Sequence, residues 1–552
     1  MSTVSPDHLE LIPLGGLGEF GMNLMVLRHG TDCVILDAGM MFPGAEHHGI
    51  DVIIPDLSFL EDCGTIHGLV LTHAHEDHVG CVPWLVDRHP VPVHGSPYTL
   101  ALVGHRLKER GIDAELHTFE PGGDRFNVGP FEVETLPVAH SIPQTSMLAV
   151  RTPVGMVVHT ADFKLDPDPL DGVGADFRRL RELGDEGVLV LLSDSTNADR
   201  PGFTPGERTV GPGLRKAIAG ARGRVLVTTF ASNVHRIRQI AEAARYHQRQ
   251  VALIGTSMQN QAEIAERLGL LNFPAGHRIA PDRVMNQRAD RVLVIATGSQ
   301  GEPMSALARM ALDRHRDIKL QDGDRVIHSA RVIPGNEKSI NRMINHLMRR
   351  GAEVVTAADA HVHVSGHPSS EELLLLLNML RPRHLLPVHG EFRQLSSHAR
   401  LAADAGMDPE NIVIADSGDV IVVSENEFAV RDHVHVGHVF IDATLEKVEH
   451  SVLRDRRRIA GDGVVVPVVP VDRDSGTLGT PELIACGFVT EDDERGLMED
   501  ARRIVVESLE DATAEERSDD GVLKTRVQTE LKRYLKKRVS RRPLIIPVIV
   551  ES

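Results

Sequence analysis

The chain has 552 residues, of which 41% are hydrophobic, and its 60 basic and 78 acidic residues give a formal net charge of −18. That length predicts about three or four domains, and the acidic balance argues against a generally basic nucleic-acid coat, although a local basic cleft stays compatible with it. The four cysteines are scattered without CxxC spacing, which predicts neither a disulfide framework nor a cysteine zinc site and fits a reducing cytoplasm. The beginning of the chain does not resemble a signal peptide, and no apolar run is long enough to predict a membrane span.

The first motif lies at residues 16–21, where GLGEFG matches the GxGxxG pattern of dinucleotide sites. Such a site needs a crossover helix of about 10–12 residues between the glycines and the next strand. Here residues 22–28 are strand-like, residues 29–32 predict a turn, and residues 33–36 predict a second strand. The pattern therefore indicates a hairpin rather than a nucleotide-cofactor site, and we expect the glycines to bring backbone close to a nearby cleft.

The densest chemical motif is THAHEDH at residues 72–78, directly after an apolar segment that predicts a buried strand. Imidazole and carboxylate are ligands that suit zinc or manganese, and four of them this close together exceed what one tetrahedral ion can take from a short loop. We therefore expect two ions side by side, which can clamp both oxygens of a phosphoryl transfer, rather than a solvated histidine-rich loop. The expected ligands are His73 and His75 on one ion and Asp77 and His78 on the other.

Three later apolar runs each predict a strand that delivers a polar side chain at its end. His140 could complete the ligands of the first ion, and Asp162 could bridge both ions through its two carboxylate oxygens. Asp194 ends the third run and brings another acid to the same kind of position. Each of these residues alone would more often be an ordinary polar loop residue, but the histidine cluster favours the ligand interpretation.

Residues 207–350 predict a separate α/β unit, with strands at 224–229, 251–255, 291–296 and 325–329. The first of these strands is followed by small polar residues, among them Ser232 and Asn233, at a predicted helix start. The amino end of a helix can hold a phosphate because its backbone N–H groups are free.

Two histidine-bearing segments follow late in the chain. His389 comes after a strand-like run and is suited to complete the ligands of the second ion. His367 lies in a Ser-Gly loop and could donate a proton, since imidazole titrates near neutral pH; the alternative for residues 361–367 is a surface turn. The candidate substrate-binding residues, which offer hydroxyl, amide and backbone donors, are Ser232, Asn233, His363, Val364, Ser365, Gly366 and His367.

The C-terminal part contains a charged run at residues 454–458, which predicts either a solvated segment or a linker that touches a polyanion. Residues 524–542 predict a basic amphipathic helix. A docking or dimer surface is favoured over a membrane helix, because the chain lacks other anchors. The apolar side of this helix is marked by Val527, Leu531, Tyr534 and Leu535.

These residues together resemble a known family. The cluster at 72–78 with His140, Asp162 and His389 is similar to the metallo-β-lactamase fold, and Asp194, His367 and His389 resemble motifs A, B and C of its β-CASP nucleic-acid branch. Four further segments extend the resemblance to the bacterial ribonuclease J family over essentially the whole chain. They are the glycine-rich start, SDSTN at 193–197, TGSQGEPM at 297–304 and RRPLIIP at 541–547.

The resemblance implies an α/β protein in which a metallo-β-lactamase αββα sandwich carries an inserted β-CASP α/β domain and is followed by a small C-terminal α/β domain. The expected boundaries are 1–206 for the first part of the lactamase domain, 207–350 for the β-CASP domain, 351–446 for the completing part, 447–464 for a linker and 465–552 for the C-terminal domain.

The resemblance also implies a metal-dependent ribonuclease with 5′-to-3′ exonuclease and endonuclease activity on single-stranded RNA. The family often favours 5′-monophosphate ends and acts in RNA maturation and mRNA decay in the cytoplasm. The expected cofactors are two divalent ions, zinc and/or manganese. In the hydrolysis of a phosphodiester that the resemblance implies, Asp194 is expected to orient neighbouring groups and His367 to protonate the leaving 3′ oxygen. A homodimer or homotetramer, with RNA-decay proteins as partners and no membrane, is expected.

Two other functions compete with this one. A small-molecule ester or lactam hydrolase of the same fold has no use for the large insertion or for the loop that ends at His367. A metal-binding RNA scaffold without chemistry has no need of the complete ligand set. The acidic chain is in tension with an RNA substrate, so we expect a basic cleft between the two large domains that includes Arg236, Arg238 and Arg331.

Overall fold

The computed structural model describes residues 8–44, 47–333, 335–425, 427–472, 477, 479–488, 491–510, 512, 519–539 and 542–551, without the side chains of 491–495. Residues 1–7 and 541, which enter the sequence analysis, lie outside these ranges. The chain forms two compact units, one made of Met1–Phe42 with Ile53–Val439 and the other of Pro43–Val52 with Phe440–Ser552. Within the described ranges, every helix is too short or too polar to cross a membrane.

The first unit contains an eight-stranded sheet in the order β20-β19-β1-β2-β3-β5-β6-β7. Its strands are β1 (Leu9–Gly15), β2 (Leu24–His29), β3 (Asp32–Leu36), β5 (Thr65–Val70), β6 (Val93–Gly95), β7 (Leu116–Thr118), β19 (Asp419–Val423) and β20 (Phe428–His433). β2 and β3 pair antiparallel, with Met25 opposite Leu36 and His29 opposite Asp32. The hairpin predicted after the GxGxxG motif is therefore confirmed.

A second, six-stranded sheet has the order β18-β12-β11-β10-β9-β8. Its strands are β8 (Phe126–Val128), β9 (Phe131–Pro137), β10 (Ser146–Arg151), β11 (Met156–His159), β12 (Val188–Asp194) and β18 (His384–Val388). Apolar side chains of both sheets share one core, in which Leu27 and Ile421 of the first sheet join Val150 and Leu192 of the second. The two sheets therefore pack face to face, as expected of a sandwich.

Helices cover the outer faces of this sandwich. Leu180, Leu183, Leu376 and Leu380 pack on the outer face of the six-stranded sheet, because their spacing of three to four residues places them on one helix side. The helices associated with the sandwich are Glu76–Val79, Val82–Arg88, Pro97–Glu109, Phe177–Glu186, Ser370–Leu380 and Phe392–Asp404. The predicted αββα arrangement is confirmed.

A third sheet is parallel throughout and has the order β14-β15-β13-β16-β17. Its strands are β13 (Val225–Thr228), β14 (Gln250–Ile254), β15 (Val292–Ala296), β16 (Arg325–His328) and β17 (Glu353–Val355). Separate apolar cores lie on its two faces, which agrees with the nearly continuous apolar runs of these strands. Its helices are Val210–Ile218, Val234–Tyr246, Thr256–Arg267, Ala306–Ala311 and Glu337–Arg349.

The second unit is built on a small sheet with one helix-covered face. In its central strand, buried and half-buried residues alternate, as expected when one face is covered and the other is not. The remaining strands of the chain are β4 (Val52–Pro55), β21 (His438–Ile441), β22 (Lys447–Val448), β23 (Val464–Val471), β24 (Glu482–Cys486), β25 (Leu544–Ile545) and β26 (Val548–Glu551). The helices of this unit are His450–Asp462, Glu491–Glu510 and Asp520–Val539.

Two expectations for this part of the chain can be compared with the structure. The run at 454–458, expected to be either a solvated segment or a linker, lies inside the helix His450–Asp462, where Arg454, Arg457 and Arg458 are exposed. The apolar side of the helix Asp520–Val539 is buried in its own unit, where Val527 and Leu531 are part of the core. The prediction that this side forms a docking or dimer surface is therefore wrong, because helix periodicity shows that a face is apolar but does not show what covers it.

Candidate active site

Strand ends of both sandwich sheets bring the candidate ligands together. β11, β12 and β18 are parallel neighbours, and β9 has the same direction because two antiparallel pairings separate it from β11. The residues that these strands deliver therefore reach one edge of the sheet, where α/β proteins commonly place sites. The 72–78 loop leaves β5 of the facing sheet, and its His73 and His78 are buried. The alternative of a solvated histidine-rich loop is therefore excluded.

The first group consists of His73, His75, His140 and Asp162, whose ligand atoms all lie within 4.8 Å of one another. His75 Nδ1 is 3.1 Å from His73 Nε2 and 3.0 Å from His140 Nε2. Asp162 Oδ2 lies 3.6 Å from the Nε2 atoms of both His73 and His140. Three imidazole nitrogens that converge next to a carboxylate form a donor set that suits one divalent cation.

The second group consists of Asp77, His78, Asp162 and His389, again with all ligand atoms within 4.8 Å. His389 Nε2 lies 3.3 Å from Asp77 Oδ2, and His78 Nε2 lies 3.3 Å from Asp162 Oδ1. Asp162 thus directs one oxygen toward each group. Its Oδ1 is buried and accepts no well-aligned hydrogen bond in the described part of the chain, although it lies within ion-pair distance of His78 and, at 3.6 Å, of His389. A buried carboxylate between two imidazoles suits a second cation, which would take the place of their protons.

Four of these imidazoles are oriented by a partner on the side away from the group centres. The contacts are His73 Nδ1 to Thr72 Oγ1 at 2.9 Å, His78 Nδ1 to Asp37 Oδ2 at 2.8 Å, His140 Nδ1 to the Gly366 carbonyl at 2.8 Å, and His389 Nδ1 to Thr196 Oγ1 at 2.7 Å. An Nδ1–H that donates outward leaves the Nε2 lone pair facing the group centre, which is the usual way that proteins orient histidine ligands.

The charges of the site also prepare it for cations. Burial lowers the pKa of His75 to about 4 and holds the pKa values of His73 and His140 well below the usual value. These imidazoles are therefore neutral and present lone pairs. Burial opposes ionisation of Asp162, yet the positive charges of His389 and His78 hold its pKa well below its usual range. Divalent ions would take the place of the protons on these two histidines.

Three of the nine non-glycine residues with positive φ in the described part of the chain lie at the same edge. Asp37, Ala161 and His389 have φ values of 60°, 53° and 56°, in the left-handed region that residues other than glycine rarely adopt. One is a candidate ligand, one precedes a candidate ligand, and one accepts the hydrogen bond that orients His78. Such conformations persist where surrounding contacts hold them, and they cluster at functional sites.

His367 and Asp194 form a pair beside both ligand groups. His367 Nδ1 donates to Asp194 Oδ2 at 2.8 Å, and Asp194 Oδ1 accepts from the backbone N–H of Thr196 at 2.9 Å. The His367 ring lies 5.5 Å from the His389 ring and 5.1 Å from the His140 ring, measured between centroids. Asp194 is buried, so it fixes the tautomer of His367 and leaves Nε2 for proton transfer.

The loop at 363–367 is packed into the site rather than exposed as a surface turn. Val364 belongs to the core beside the five-stranded sheet. Ser365 Oγ accepts from Asn197 Nδ2 at 3.0 Å and from the backbone N–H of His367 at 3.2 Å. The Gly366 carbonyl accepts from His140, as described above. The loop therefore joins the candidate proton donor to a candidate metal ligand through its own backbone.

Ser232 and Asn233 directly precede a helix that contacts this loop. The Asn233 side chain caps the helix Val234–Tyr246 by accepting from the backbone N–H of Arg236 at 2.9 Å. Arg236 in turn donates to the Val362 carbonyl at 3.1 Å and to His363 Nδ1 at 3.3 Å. Within the described ranges, no hydrogen bond joins Ser232 or Asn233 directly to residues 363–367, and the Asn233 side-chain oxygen is already used by the cap.

The three arginines expected in a basic cleft differ in their exposure and their partners. Arg236 is 0% exposed and forms a bidentate ion pair with Glu207 at 2.7 and 2.9 Å, so its assignment to an RNA-contacting surface is wrong. Arg238 is exposed but pairs with Glu242 at 3.0 Å. Arg331 is half-buried, and its Nη1 donates to Asn197 Oδ1 at 2.7 Å. Asn197 in turn donates to Ser365 of the 363–367 loop, so one side chain links Arg331 to the loop.

Sequence reasoning assigned no role in the site to two acids that organise it. Asp37 accepts from His78 and from the Thr72 backbone N–H at 2.8 Å; its position at a strand end is a signal that could have identified it. Glu372 is completely buried and accepts from the backbone N–H groups of three segments. These are Leu165 at 2.8 Å, Thr204 at 2.7 Å and Ser369 at 2.8 Å.

A capping signal could have identified Glu372, because Ser369 and Glu372 have the Ser-x-x-Glu spacing of a capping box at a helix start. The Thr204 and Ser369 hydroxyls also lie 2.9 Å apart. At the other side of the site, the glycine-rich loop approaches the cleft as expected. The Gly18 N–H donates to the Gly390 carbonyl at 3.0 Å, and Phe20 packs edge-on to His389 with the ring centroids 6.1 Å apart.

Comparison with known proteins gives matches along most of the chain. Family profiles match as "Metallo-beta-lactamase superfamily" over residues 17–185, "Ribonuclease J, beta-CASP domain" over 222–347, "Zn-dependent metallo-hydrolase RNA specificity domain" over 352–415, and "Ribonuclease J C-terminal domain" over 451–552.

Relatives match over nearly the full length. The chain is 40% identical to ribonuclease J of Mycolicibacterium smegmatis, covering 99% of this chain and 98% of that protein. It is 38% identical to ribonuclease J of Thermus thermophilus, covering 99% and 96%, and 36% identical to ribonuclease J 1 of Streptococcus pyogenes, covering 99% and 98%. A crystal structure of a protein of unknown function from Enterococcus faecalis V583 superposes with a TM-score of 0.52 at 16% identity, over 75% of this chain and 100% of that one. That likeness concerns the fold alone.

Proposed function

Because this chain belongs to the ribonuclease J family of metal-dependent hydrolases that act on RNA, we propose that it degrades single-stranded RNA from the 5′ end, prefers a 5′-monophosphate, and also cuts RNA internally. The observation that carries this proposal is the 363–367 loop, which joins the candidate proton donor His367 to the candidate metal ligand His140. RNA maturation and mRNA decay are the cellular roles that such an activity would serve.

We propose that two divalent ions, zinc and/or manganese, bind at the two groups, with Asp162 shared between them. His73, His75 and His140 would hold one ion, and Asp77, His78 and His389 would hold the other. Bound ions would supply positive charge to polarise the phosphodiester and to activate water for its hydrolysis. The converging imidazole nitrogens and the buried Asp162 carboxylate, which directs one oxygen toward each group, support this donor set.

Proton transfer to the leaving group is assigned to His367. Its Nδ1–H is engaged with Asp194, so Nε2 of the cationic ring would be the atom that gives a proton to the departing 3′ oxygen when the P–O bond breaks. The buried Asp194 carboxylate fixes the ring orientation through this hydrogen bond. The ring lies between those of His140 and His389, which keeps the donor next to the atoms that would hold the ions.

The chemistry of His363 supports a pocket for a terminal phosphate. Arginine can only donate, so the contact from Arg236 makes His363 Nδ1 an acceptor and assigns the ring proton to Nε2. Burial and the positive charge of Arg236 hold the pKa of His363 well below its usual value, so the ring is neutral. Its Nε2–H is buried and has no partner in the described part of the chain. An anionic oxygen would satisfy this donor.

The proposal is tested with RNAs that differ only at the 5′ end. Linear RNAs carrying a monophosphate, a triphosphate or a hydroxyl, and a circular RNA of the same sequence, are incubated with protein stripped of metal and supplied with zinc, manganese or magnesium. We expect mononucleotide release to be fastest from the monophosphorylated RNA, and slower cutting of the circle. Equal rates on all four RNAs would refute the end preference, and release of products without any circle cutting would refute the endonuclease part.

Several finer expectations remain proposals. We propose that the lactamase domain comprises residues 1–206 and 351–446, interrupted by the β-CASP domain at 207–350, with the C-terminal domain at 465–552. A homodimer or homotetramer, RNA-decay proteins as partners and a cytoplasmic location remain predictions from the family resemblance. Sedimentation velocity of the purified full-length chain tests the oligomeric state.

A further inference from the structure

The helix Asp520–Val539 has two faces of opposite character. Leu523, Val527, Leu531 and Leu535 recur every four residues and are all essentially buried. They form part of the core of their own unit together with residues of the helix Glu491–Glu510. The apolar face is therefore fully used inside the fold, and a function of this helix must come from its other side.

The opposite face carries a dense set of cations. Lys532, Arg533, Lys536 and Lys537 are exposed, and they lie at i, i+4 spacing, which makes their side chains neighbours on the helix surface. We call these four residues the basic face. The nearest acid on the helix is Glu530, which pairs with Arg533 at 3.0 Å. Among the described residues, none forms an ion pair with Lys532, Lys536 or Lys537.

This concentration of positive charge contrasts with the acidic character of the chain as a whole, whose formal net charge is −18. Like charges at i, i+4 spacing destabilise a helix. An anionic partner that neutralises the basic face therefore stabilises the helix. A polyanion satisfies several neighbouring cations at once and releases its condensed counterions. A single carboxylate cannot do this.

The surface composition favours a nucleic-acid backbone over a protein as that partner. Protein interfaces depend on buried apolar and aromatic anchors. On the whole helix Asp520–Val539, the large hydrophobic side chain that is exposed is Val522, at 38% and in the first turn, away from the basic face. A face of lysine and arginine without an apolar anchor is typical of phosphate contacts that carry no sequence information.

We propose that the basic face binds the phosphodiester backbone of RNA as a contact separate from the metal-ligand groups. The substrate class follows from family membership, and the proposal goes beyond the proposed function by adding a second RNA contact in the other structural unit. RNA long enough to reach both surfaces would bind more tightly than RNA that fills only the catalytic cleft, because the second contact becomes intramolecular.

The test uses the full-length, metal-loaded protein and the double variant Lys532→Gln/Lys536→Gln. Cleavage is measured on 5′-monophosphorylated single-stranded RNAs of about 8 and about 40 nucleotides over a range of salt concentrations. For the long RNA we expect KM to rise about three- to tenfold with kcat unchanged, and the slope of log(1/KM) against log[salt] to become shallower by about 1.4, since each lost phosphate contact removes about 0.7. For the short RNA we expect no change.

Two control variants sharpen the result. Lys532→Arg/Lys536→Arg keeps the charge and should restore the wild-type KM and salt slope. Arg178→Gln/Arg316→Gln removes two charges from side chains that are 76% and 91% exposed and that pair with neighbouring acids, so it should leave both values unchanged. Circular dichroism before each assay identifies any variant that is unfolded, in which case Lys532→Gln and Lys536→Gln are measured singly.

The outcomes separate this proposal from the proposed function. If the wild-type protein cleaves RNA and the charge-removing variant has the same KM and salt slope on long RNA, the second contact is refuted. It is also refuted if short and long RNAs are affected equally, because the basic face would then act through the catalytic cleft or the fold. Unchanged RNA kinetics with altered self-association in sedimentation velocity would assign the face to an acidic protein surface instead. A wild-type protein that cleaves no RNA refutes the proposed function itself, and direct RNA binding measured by anisotropy then tests the basic face alone.

Discussion

The metal-ligand groups and the 363–367 loop lie side by side but are built on different principles. In the ligand groups, imidazole nitrogens converge at 3.0–3.1 Å next to a buried carboxylate, an arrangement that cations would complete. In the loop, Ser365, Gly366 and His367 already have protein partners. Removal of a candidate metal-binding side chain should therefore cause the loss of a bound ion. A change in the loop should instead shift the positions of groups that stay in the protein.

The largest effect is expected from His78→Ala, which removes one nitrogen from the second group and leaves the buried Asp37 carboxylate without its imidazole partner. We expect the bound metal to fall below two ions per chain and RNA cleavage to be abolished, while circular dichroism stays close to that of the wild type. Metal content is measured by mass spectrometry of the dialysed protein. His105→Ala, at an exposed helix position, serves as control. Two ions per chain with normal turnover in His78→Ala would disprove the two-ion assignment.

A smaller but still large effect is expected from His367→Ala, which removes the proposed proton donor and spares every ligand. We expect both ions to remain and cleavage to slow about 10²–10⁴-fold, the usual range for loss of a general acid. An RNA with a better leaving group at the scissile bond should recover much of the lost rate. Equal slowing on both substrates would assign His367 to binding instead.

Gly366→Ala examines the junction between the two regions. A Cβ at this position would lie 2.7 Å from Nδ1 of His140 and 3.2 Å from Cβ of Ser141, so the His140 ring must move away from its carbonyl partner. We expect affinity for one ion to fall about 10–100-fold, as when an outer partner of a ligand is lost, with cleavage recovered at high metal concentration. Gly437→Ala, where a Cβ meets no atom within 4 Å, is the matched control. Identical metal titrations for the two variants would show that the loop and the ligand do not depend on each other.

The smallest effect is expected from Ser365→Leu, which should disturb recognition of the RNA end. The bulky side chain removes the hydroxyl contact with Asn197 and fills space beside the proposed phosphate pocket. Loss of hydrogen bonds to a charged group predicts a decrease of about tenfold in degradation of linear monophosphorylated RNA relative to cutting of a circular RNA. Ser365→Ala should give a weaker change in the same direction. Equal loss on both RNAs would make the loop part of the general catalytic site.

The comparison also shows what a sequence can and cannot reveal. The candidate ligands were predictable because each follows an apolar strand, and parallel strands end at one edge; thus Asp162 and His389 meet the 72–78 cluster although they are far apart in the chain. The outer partners were not predictable, because the pairing of Thr196 with His389 depends on side chains 193 positions apart. Metal-ligand spacing is local information, whereas hydrogen-bond partners depend on the register of the fold.

Two errors have the same origin. Arg236 is a residue type expected in a cleft that binds RNA, but it is buried and forms an ion pair with Glu207, 29 positions earlier. The apolar stripe that includes Val527 and Leu531 was correctly predicted as one helix side, yet its partner helix lies within the same unit. In both cases the residue type and periodicity were informative about local structure. Only the tertiary packing determines whether a charged or apolar face remains available to a partner.

The contact between Thr204 and Ser369 has a consequence for chain entropy. Their hydroxyls lie 2.9 Å apart although 165 positions separate them in sequence, and Glu372 accepts hydrogen bonds from the backbone of both. The whole intervening stretch, including the five-stranded sheet, is thereby closed at its base as one loop. The free energy of closing a loop rises only with the logarithm of its length, by about 0.6 kcal/mol for each doubling. Insertions in surface loops of that stretch therefore add little to the entropic cost of joining its two ends, provided that the five-stranded sheet and the 363–367 loop keep their folds.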